Sequence, residues 1–321
     1  MHQLEKAVEG IFGINLALKE NEKLLILTDE NKRELGRVFH NIAKRFTGSI
    51  DLVEIPVGKV HGEEPPYDAA ERMLGCDVGV LLTTKSLSHT TARKRACGRG
   101  ARIATMPNAT EDMLKRALNV DYKEMHERIA RISDILDLGD EVRILSRSGT
   151  DIRFSIRGRK AHGRTSGIFV EKGKYGNLPD GESFIAPVEG SAEGVFIIDG
   201  SIGGIGHVDR PVRVSVNGGY AERIEGGKAA ERLKELLAEA GKEAGNIAEF
   251  GIGANDKAVI TGNMLEDEKV LGTSHIALGN NTGFGGKVDV GLHIDGLIKK
   301  PTILIGDKEI MREGRLVFFD A

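Results

Sequence analysis

The pattern of apolar residues changes once along this chain, near residue 140, and no other sequence feature constrains its fold as strongly. Before that point, short β-branched or leucine-rich runs at 23–28 (KLLILT), 50–57 (IDLVEIPV), 78–84 (VGVLLTT) and 101–106 (ARIATM) alternate with helix-forming stretches at 31–46, 66–74 and 90–97. In 31–46 (NKRELGRVFHNIAKRF) the apolar residues recur three and four apart, the period of one helix face. Strand and helix in alternation predict a parallel sheet. Asp29 is expected to cap the helix that follows it, Pro66 stands where a first-turn proline is tolerated, and Thr110 opens another short helix. The segment 121–138 (DYKEMHERIARISDILDL) predicts a longer amphipathic helix bridging the two halves.

From residue 140 onward, EVRILSRSGTDIRFSIRGR alternates apolar and polar residues around a Ser-Gly turn, the signature of a β-hairpin. Further short strands are expected at 195–198, 211–216, 257–261, 288–294 and 301–305, with one helix at 227–240. Glycine follows the same division: of 42 in the chain, 12 fall in residues 1–150 and 30 in 151–321. The expected fold class is therefore α/β. An N-terminal doubly wound parallel-sheet domain over 1–140 would be followed by a β-rich α+β metal-binding domain over 141–321.

Several function classes are disfavoured by what the chain lacks. No apolar run approaches the roughly 20 residues of a membrane span, and MHQLEKAVEG has no basic stretch leading into an apolar one, so a cytoplasmic protein without membrane attachment is expected. The 45 Lys and Arg against 48 Asp and Glu give a net charge of -3 with no long single-sign block, which argues against a nucleic-acid partner held by counterion release. Tryptophan is absent and Gln3 is the one glutamine; with a high, mixed charge content this is the composition of proteins from hot environments. Cys76 and Cys97 read as small core residues, so any metal site must draw on histidines and carboxylates.

Four glycine-rich segments carry such groups. In GLHIDG, His293 and Asp295 lie two apart on a strand and project to the same face. In LGTSHIALGNN, His275 is flanked by small and apolar residues, where a buried neutral histidine is the ordinary structural explanation. In NIAEFGIGAN, Glu249 is a lone acid among apolar residues; a buried unpaired carboxylate is costly, so a cation, proton or metal is expected beside it. In GNLPDGESF, Glu182 follows a turn. Two Glu, two His and one Asp, with no sulfur, suit Zn, Co, Mn or Fe(II), one or two ions per chain. A carboxylate bridging two ions about 3.5–4 Å apart would let them activate a water.

GNLPDGESF, NIAEFGIGAN, GTSHIALG and LHIDGLI, in that order, resemble the thermophilic metallo-aminopeptidase family that includes aminopeptidases T and S. The resemblance is close in the C-terminal half and looser in the N-terminal half, where SLSHTTARKRACGRGARIATMPN carries it. It implies that Glu182, Glu249, His275, His293 and Asp295 bind divalent metal, that the substrate is a peptide cleaved at its N-terminus by a metal-activated water, and that the protein is a homodimer. One departure stands out. Those peptidases have a tyrosine shortly after HIALG, whereas this chain continues NNTGFGG, and the stretch from His275 to His293 is shorter; Tyr175 is the nearest candidate to replace that tyrosine. A relative of the same fold, the 2,5-dihydroxypyridine 5,6-dioxygenase group, is similar in its His and His-x-Asp elements. That likeness implies a two-His-one-carboxylate Fe(II) site made of His275, His293 and Asp295, acting on a hydroxylated aromatic small molecule.

Other features carry less. Residues 200–206 (GSIGGIG) precede a short strand instead of opening a helix, unlike a phosphate loop. Ser86 and His89 lack an orienting acid, and His162 and His207 stand alone.

Overall fold

A computed structural model describes residues 2–317. Contacts divide the chain into two compact units, one holding residues up to 120 together with 167–180, the other 121–166 together with residues from 181 onward. The chain thus passes between units three times, where the sequence pattern suggests one division at 140/141. Among the described residues no helix is long and apolar enough to cross a membrane.

The first unit is built on a five-stranded parallel sheet in the order Ile50–Ile55, Leu24–Asp29, Val78–Leu82, Arg102–Thr105, Tyr175–Asn177. Every residue of Leu24–Asp29 and Val78–Leu82 is buried, as expected for strands covered on both faces. Leu25, Leu27, Leu81 and Ile103 pack with Ala69, Met73, Ala92, Ala96 and Cys97 from the helices Tyr67–Leu74 and Thr91–Gly98. Alternation turns Thr28 to the opposite face, where Gly36 of the helix Arg33–Ala43 lies against it. This is the doubly wound arrangement that the sequence predicts. The returning segment is tied in by Asn15, whose side-chain amide donates to the Gly167 carbonyl at 2.8 Å while its own carbonyl accepts from the Phe169 N–H.

Local capping follows expectation at Thr110, whose side chain accepts from the Met113 N–H, and differs at Asp29. The Asp29 carboxylate makes no cap and instead accepts from the N–H and hydroxyl of Thr84 at the end of the neighbouring strand. Cys76 and Cys97 are buried in the core, and burial pushes the Cys76 thiol up to about 12.

The second unit contains the helix Tyr122–Leu138 and two antiparallel sheets. Asp121 caps that helix, accepting from the Lys123 and Glu124 N–H groups. The eight-stranded sheet runs Tyr220–Glu225, Val212–Asn217, Glu193–Ile198, Asp151–Ser155, Glu141–Leu145, Thr302–Ile305, Lys308–Arg312, Arg315–Leu316. Its centre is the expected hairpin, with Arg143 opposite Arg153. The six-stranded sheet runs Gly206–His207, Ser201–Ile202, His293–Lys299, Thr273–Gly279, Ile247–Gly253, Glu182–Ile185. The two sheets meet through Phe154 and Phe250, whose rings are 5.4 Å apart, and through Ile198 lying where Gly296 leaves room.

One expected strand is absent and another begins later than expected. Residues 257–261 are not a strand because their backbone donors go elsewhere: Glu266 accepts from the Val259 N–H, and Asp267 accepts from those of Thr261 and Gly262. The strand expected at 288–294 begins only at His293. Residues 200–206 form no phosphate loop, since Ser201–Ile202 and Gly206–His207 pair as antiparallel strands.

Candidate metal centre

Glu182, Glu249, His275, His293 and Asp295 all lie on four adjacent strands of the six-stranded sheet. Register brings them together. Glu249 pairs with Ala277, which pairs with Asp295, and Gly251 pairs with His275. The residues between the ligands are small, so the polar side chains converge over a trough instead of standing apart. Gly251 is required here, because a Cβ at that position would overlap the His275 imidazole. A register shift between Ile247 and Glu249 marks a bulge, the kind of irregularity that re-aims a side chain. On the edge strand, Ser183 faces the helix Tyr122–Leu138 and shares a 2.7 Å hydrogen bond with Ser133, which turns Glu182 and Phe184 to the other face.

The ligand atoms fall into two groups of three, Glu182 with Glu249 and His275, and Glu249 with His293 and Asp295, each within 4.8 Å. Glu249 is shared. Its two oxygens lie 3.4 Å from His275 Nε2 and 3.4 Å from His293 Nε2 respectively. His275 Nε2 is also 3.2 Å from Glu182 Oε2, and His293 Nε2 is 3.6 Å from Asp295 Oδ1. The His293 ring is oriented from behind, its Nδ1 lying 2.8 Å from the Asn280 carbonyl oxygen. The first group is closed, with the His275 side chain 0% exposed, whereas His293 in the second is 32% exposed. The second group is where a small molecule can arrive.

Burial disfavours charge on both imidazoles, yet the surrounding carboxylates overcome it and raise His275 and His293 well above the usual histidine range. Burial likewise pushes the Glu249 carboxyl up, but the two histidines outweigh it and hold it at about 2. The protons on these imidazoles stand where a cation would. Glu182 Oε2 is buried with no hydrogen-bond partner among the described residues. A convergent set of carboxylate and imidazole donors with such an orphaned oxygen fits a divalent ion.

The three residues of the two-His-one-carboxylate reading all belong to this cluster: His275 and His293 each lie 3.4 Å from an oxygen of Glu249, and Asp295 lies 3.6 Å from His293. Tyr175 is not among the gathered residues. It belongs to the first unit, with the Arg93 guanidinium 3.4 Å above its ring.

Sequence reasoning missed two features. Lys269, 1% exposed, places its ammonium 2.5 Å from Glu182 Oε1 and also against Glu268. Burial pushes the Glu268 carboxyl up, Lys269 only partly opposes this, and the result is about 8. The second feature is an aromatic wall. Phe284 lies edge-on to His293 with centroids 5.8 Å apart and to Phe184 at 5.6 Å, and His162 stacks on Phe184 at 5.4 Å. Phe184 was findable, standing two residues after Glu182 and so on its face; nothing in the sequence pattern marks Lys269.

The fold and the carboxylate–histidine cluster together define a metalloenzyme-like protein with a parallel-sheet unit and an antiparallel one. Residues 17–318 match the family described as NicX, 2,5-dihydroxypyridine 5,6-dioxygenase, and the chain belongs to that family of enzymes. The curated 2,5-dihydroxypyridine 5,6-dioxygenase of Pseudomonas putida KT2440 is 24% identical over 267 residues, 78% of this chain and 73% of that protein. The solved structure of 2,5-dihydroxypyridine dioxygenase from the same organism has a TM-score of 0.84 at 20% identity, covering 98% of this chain and 97% of its own. Wild-type AmpT from Thermus thermophilus has a TM-score of 0.74 at 18% identity, covering 98% of this chain and 99% of its own. The likeness to both shows the fold. The expected activity is corrected. Family and curated relative both carry the dioxygenase name, while AmpT is the less similar of the two structures, so the reading as a hydrolase acting in proteolysis is set aside.

Proposed function

We propose that this enzyme is a ring-cleaving dioxygenase that uses Fe(II) to open a small hydroxylated aromatic ring, of which a dihydroxypyridine is the model. Family membership supports the reaction class. The observation that carries the substrate class is the wall of Phe184, Phe284 and His162 meeting the exposed edge of His293. Aromatic faces and edges of this kind receive a flat ring.

The wall is held firmly. Asn281 accepts from the Val288 N–H and donates to Glu189, which also accepts from the Lys287 N–H. Arg159 bonds both Glu189 and the Gly285 carbonyl. This is the short loop where the aminopeptidases carry a tyrosine; here it presents Phe284, an aromatic ring without a hydroxyl.

His275, His293 and Asp295, with Glu249 between the two imidazoles, would hold the iron, which when bound supplies the activation of dioxygen. The protein's own residues perform the rest. They fix the ligand oxygens on a rigid sheet, keep water from the buried side through His275 and its neighbours, and orient the ring against Phe284. Anaerobic loading with Fe(II), then oxygen uptake with 2,5-dihydroxypyridine, tests the proposal. We expect one O2 consumed per ring lost from the ultraviolet spectrum; iron-loaded protein that takes up no oxygen with any hydroxylated pyridine or benzene would overturn it.

A further inference from the structure

The buried cations differ in whether the fold supplies a counter-charge. Arg102 meets Glu22 at 2.7 Å, and Lys269 meets Glu182 at 2.5 Å. Arg93, in the helix Thr91–Gly98, is 4% exposed and forms no ion pair among the described residues. Its Nε donates to the Ser88 carbonyl at 2.7 Å, and the Tyr175 ring lies 3.4 Å from the guanidinium carbon. Glu64, at the start of the same helix, gives its two oxygens to the Thr91 and Ala92 N–H groups. The Cys97 thiol does not supply the charge either: burial pushes it up and outweighs the pull of Arg93 towards thiolate. A guanidinium buried without an anion is costly.

The polar groups around it are arranged as donors. Tyr175 and Asn177 stand two apart on one strand and so share a face; Tyr175 covers Arg93, and Asn177 meets Ser88, whose carbonyl holds Arg93. The Ser86 hydroxyl donates to that of Ser88 at 2.9 Å, and the hydroxyls of Ser88 and Thr105 both donate to Asn177 Oδ1. The hydroxyl protons are thus spent on the Asn177 carbonyl, which leaves its amide N–H groups facing outward as donors. On Arg93 the Nε side is spent on Ser88, which leaves the edge between the two Nη atoms. All of these residues belong to the first unit, beyond the carboxyl ends of its strands, where open parallel sheets receive ligands.

We infer that Arg93 and Asn177 form an anion site in the first unit, separate from the metal centre, that takes a small carboxylate. The shape of the free donors sets the class. The two Nη atoms present a flat fork that matches two carboxylate oxygens. A tetrahedral phosphate needs further donors out of that plane, and the nearby hydroxyls are already committed to Asn177.

The inference rests on neither the metal centre nor the proposed reaction. It is tested on the whole chain, titrated at constant ionic strength with acetate, formate and inorganic phosphate, by calorimetry and thermal unfolding. Acetate and formate should bind saturably and raise the melting temperature, and phosphate should bind more weakly. Arg93→Gln should weaken acetate binding at least about tenfold, and Arg93→Lys, which keeps the charge and loses the fork, should weaken it by less. Independently of whether the Arg93 variants fold, Asn177→Asp keeps the oxygen that accepts from Ser88 and Thr105 and puts an anion where the amide stood. It should lose acetate binding and melt at a higher temperature than the wild type, because the counter-charge is then internal. Saturable binding that is absent from the wild type, phosphate bound more tightly than acetate, acetate binding that survives in Asn177→Asp, or an Asn177→Asp that melts no higher than the wild type would each overturn it.

Discussion

The inner and outer halves of the ligand cluster share Glu249 but differ in what surrounds them. The inner half is sealed, with His275 fully buried and Lys269 on Glu182. The outer half opens at His293, meets the aromatic wall and has no lysine or arginine on its carboxylates among the described residues. Similar donors on the same sheet thus face different demands. Charge is compensated inside the protein on one side and left for an arriving ion on the other. The largest effect should come from the residue common to both. Glu249→Gln removes the anion between two imidazoles, and we expect metal affinity to fall by about 100-fold or more, read by titration of the metal-free protein. Retained affinity would mean that the two halves are not joined through Glu249.

Acidity separates metal-free from metal-loaded protein. Both imidazoles have folded values raised above the ordinary 6.5. Their contribution to stability is therefore complete below 6.5 and is lost as pH rises through the folded values. Glu249, held at about 2 against an ordinary 4.5, contributes above 4.5 and loses this as pH falls through about 2. Metal requires neutral imidazole and displaces those protons. The metal-free melting temperature should accordingly fall as pH is raised above 6.5, and the gain on adding metal should grow over the same range. A gain independent of pH would break the assignment of the histidines as ligands.

What the sequence reveals of this arrangement depends on how each part is stabilised. The parallel sheet was legible because burial on both faces leaves uninterrupted runs such as KLLILT. The two central strands of the site, Ile247–Gly253 and Thr273–Gly279, are equally buried but rich in Gly, Ala and Ser, and no alternation identifies them as strands. Gly251 is explained by the His275 imidazole that needs the room, and Gly253 and Gly279 by the backbone of Val270 and Leu292 that approaches them. The five residues that the structure gathers were legible through four ordered motifs, which peptidase and dioxygenase readings share. Phe284 and Lys269, which meet His293 and Glu182, lie outside the motifs and reach the site only through tertiary packing.

Gly251→Ala probes the inner half alone. Its new Cβ would overlap the His275 ring, and overpacking of this kind costs about 1–3 kcal/mol. Thermal unfolding should report that loss, and metal affinity should fall with it because the His275 ring is displaced. Unchanged affinity would mean that the outer group holds the ion without His275.

Phe284→Ala probes the outer half at its rim and should have the smallest effect. The ring touches His293 only edge-on, and such aromatic contacts contribute about 0.5–1.5 kcal/mol beyond buried area. If the wall receives the substrate ring, KM for a hydroxylated aromatic should rise roughly threefold to tenfold with kcat and metal content nearly unchanged, and Phe284→Tyr should restore most of the loss. If kcat and metal content fall while KM holds, Phe284 is a brace for His293, and the outer half would then select its ion with the loop and its substrate by some other surface.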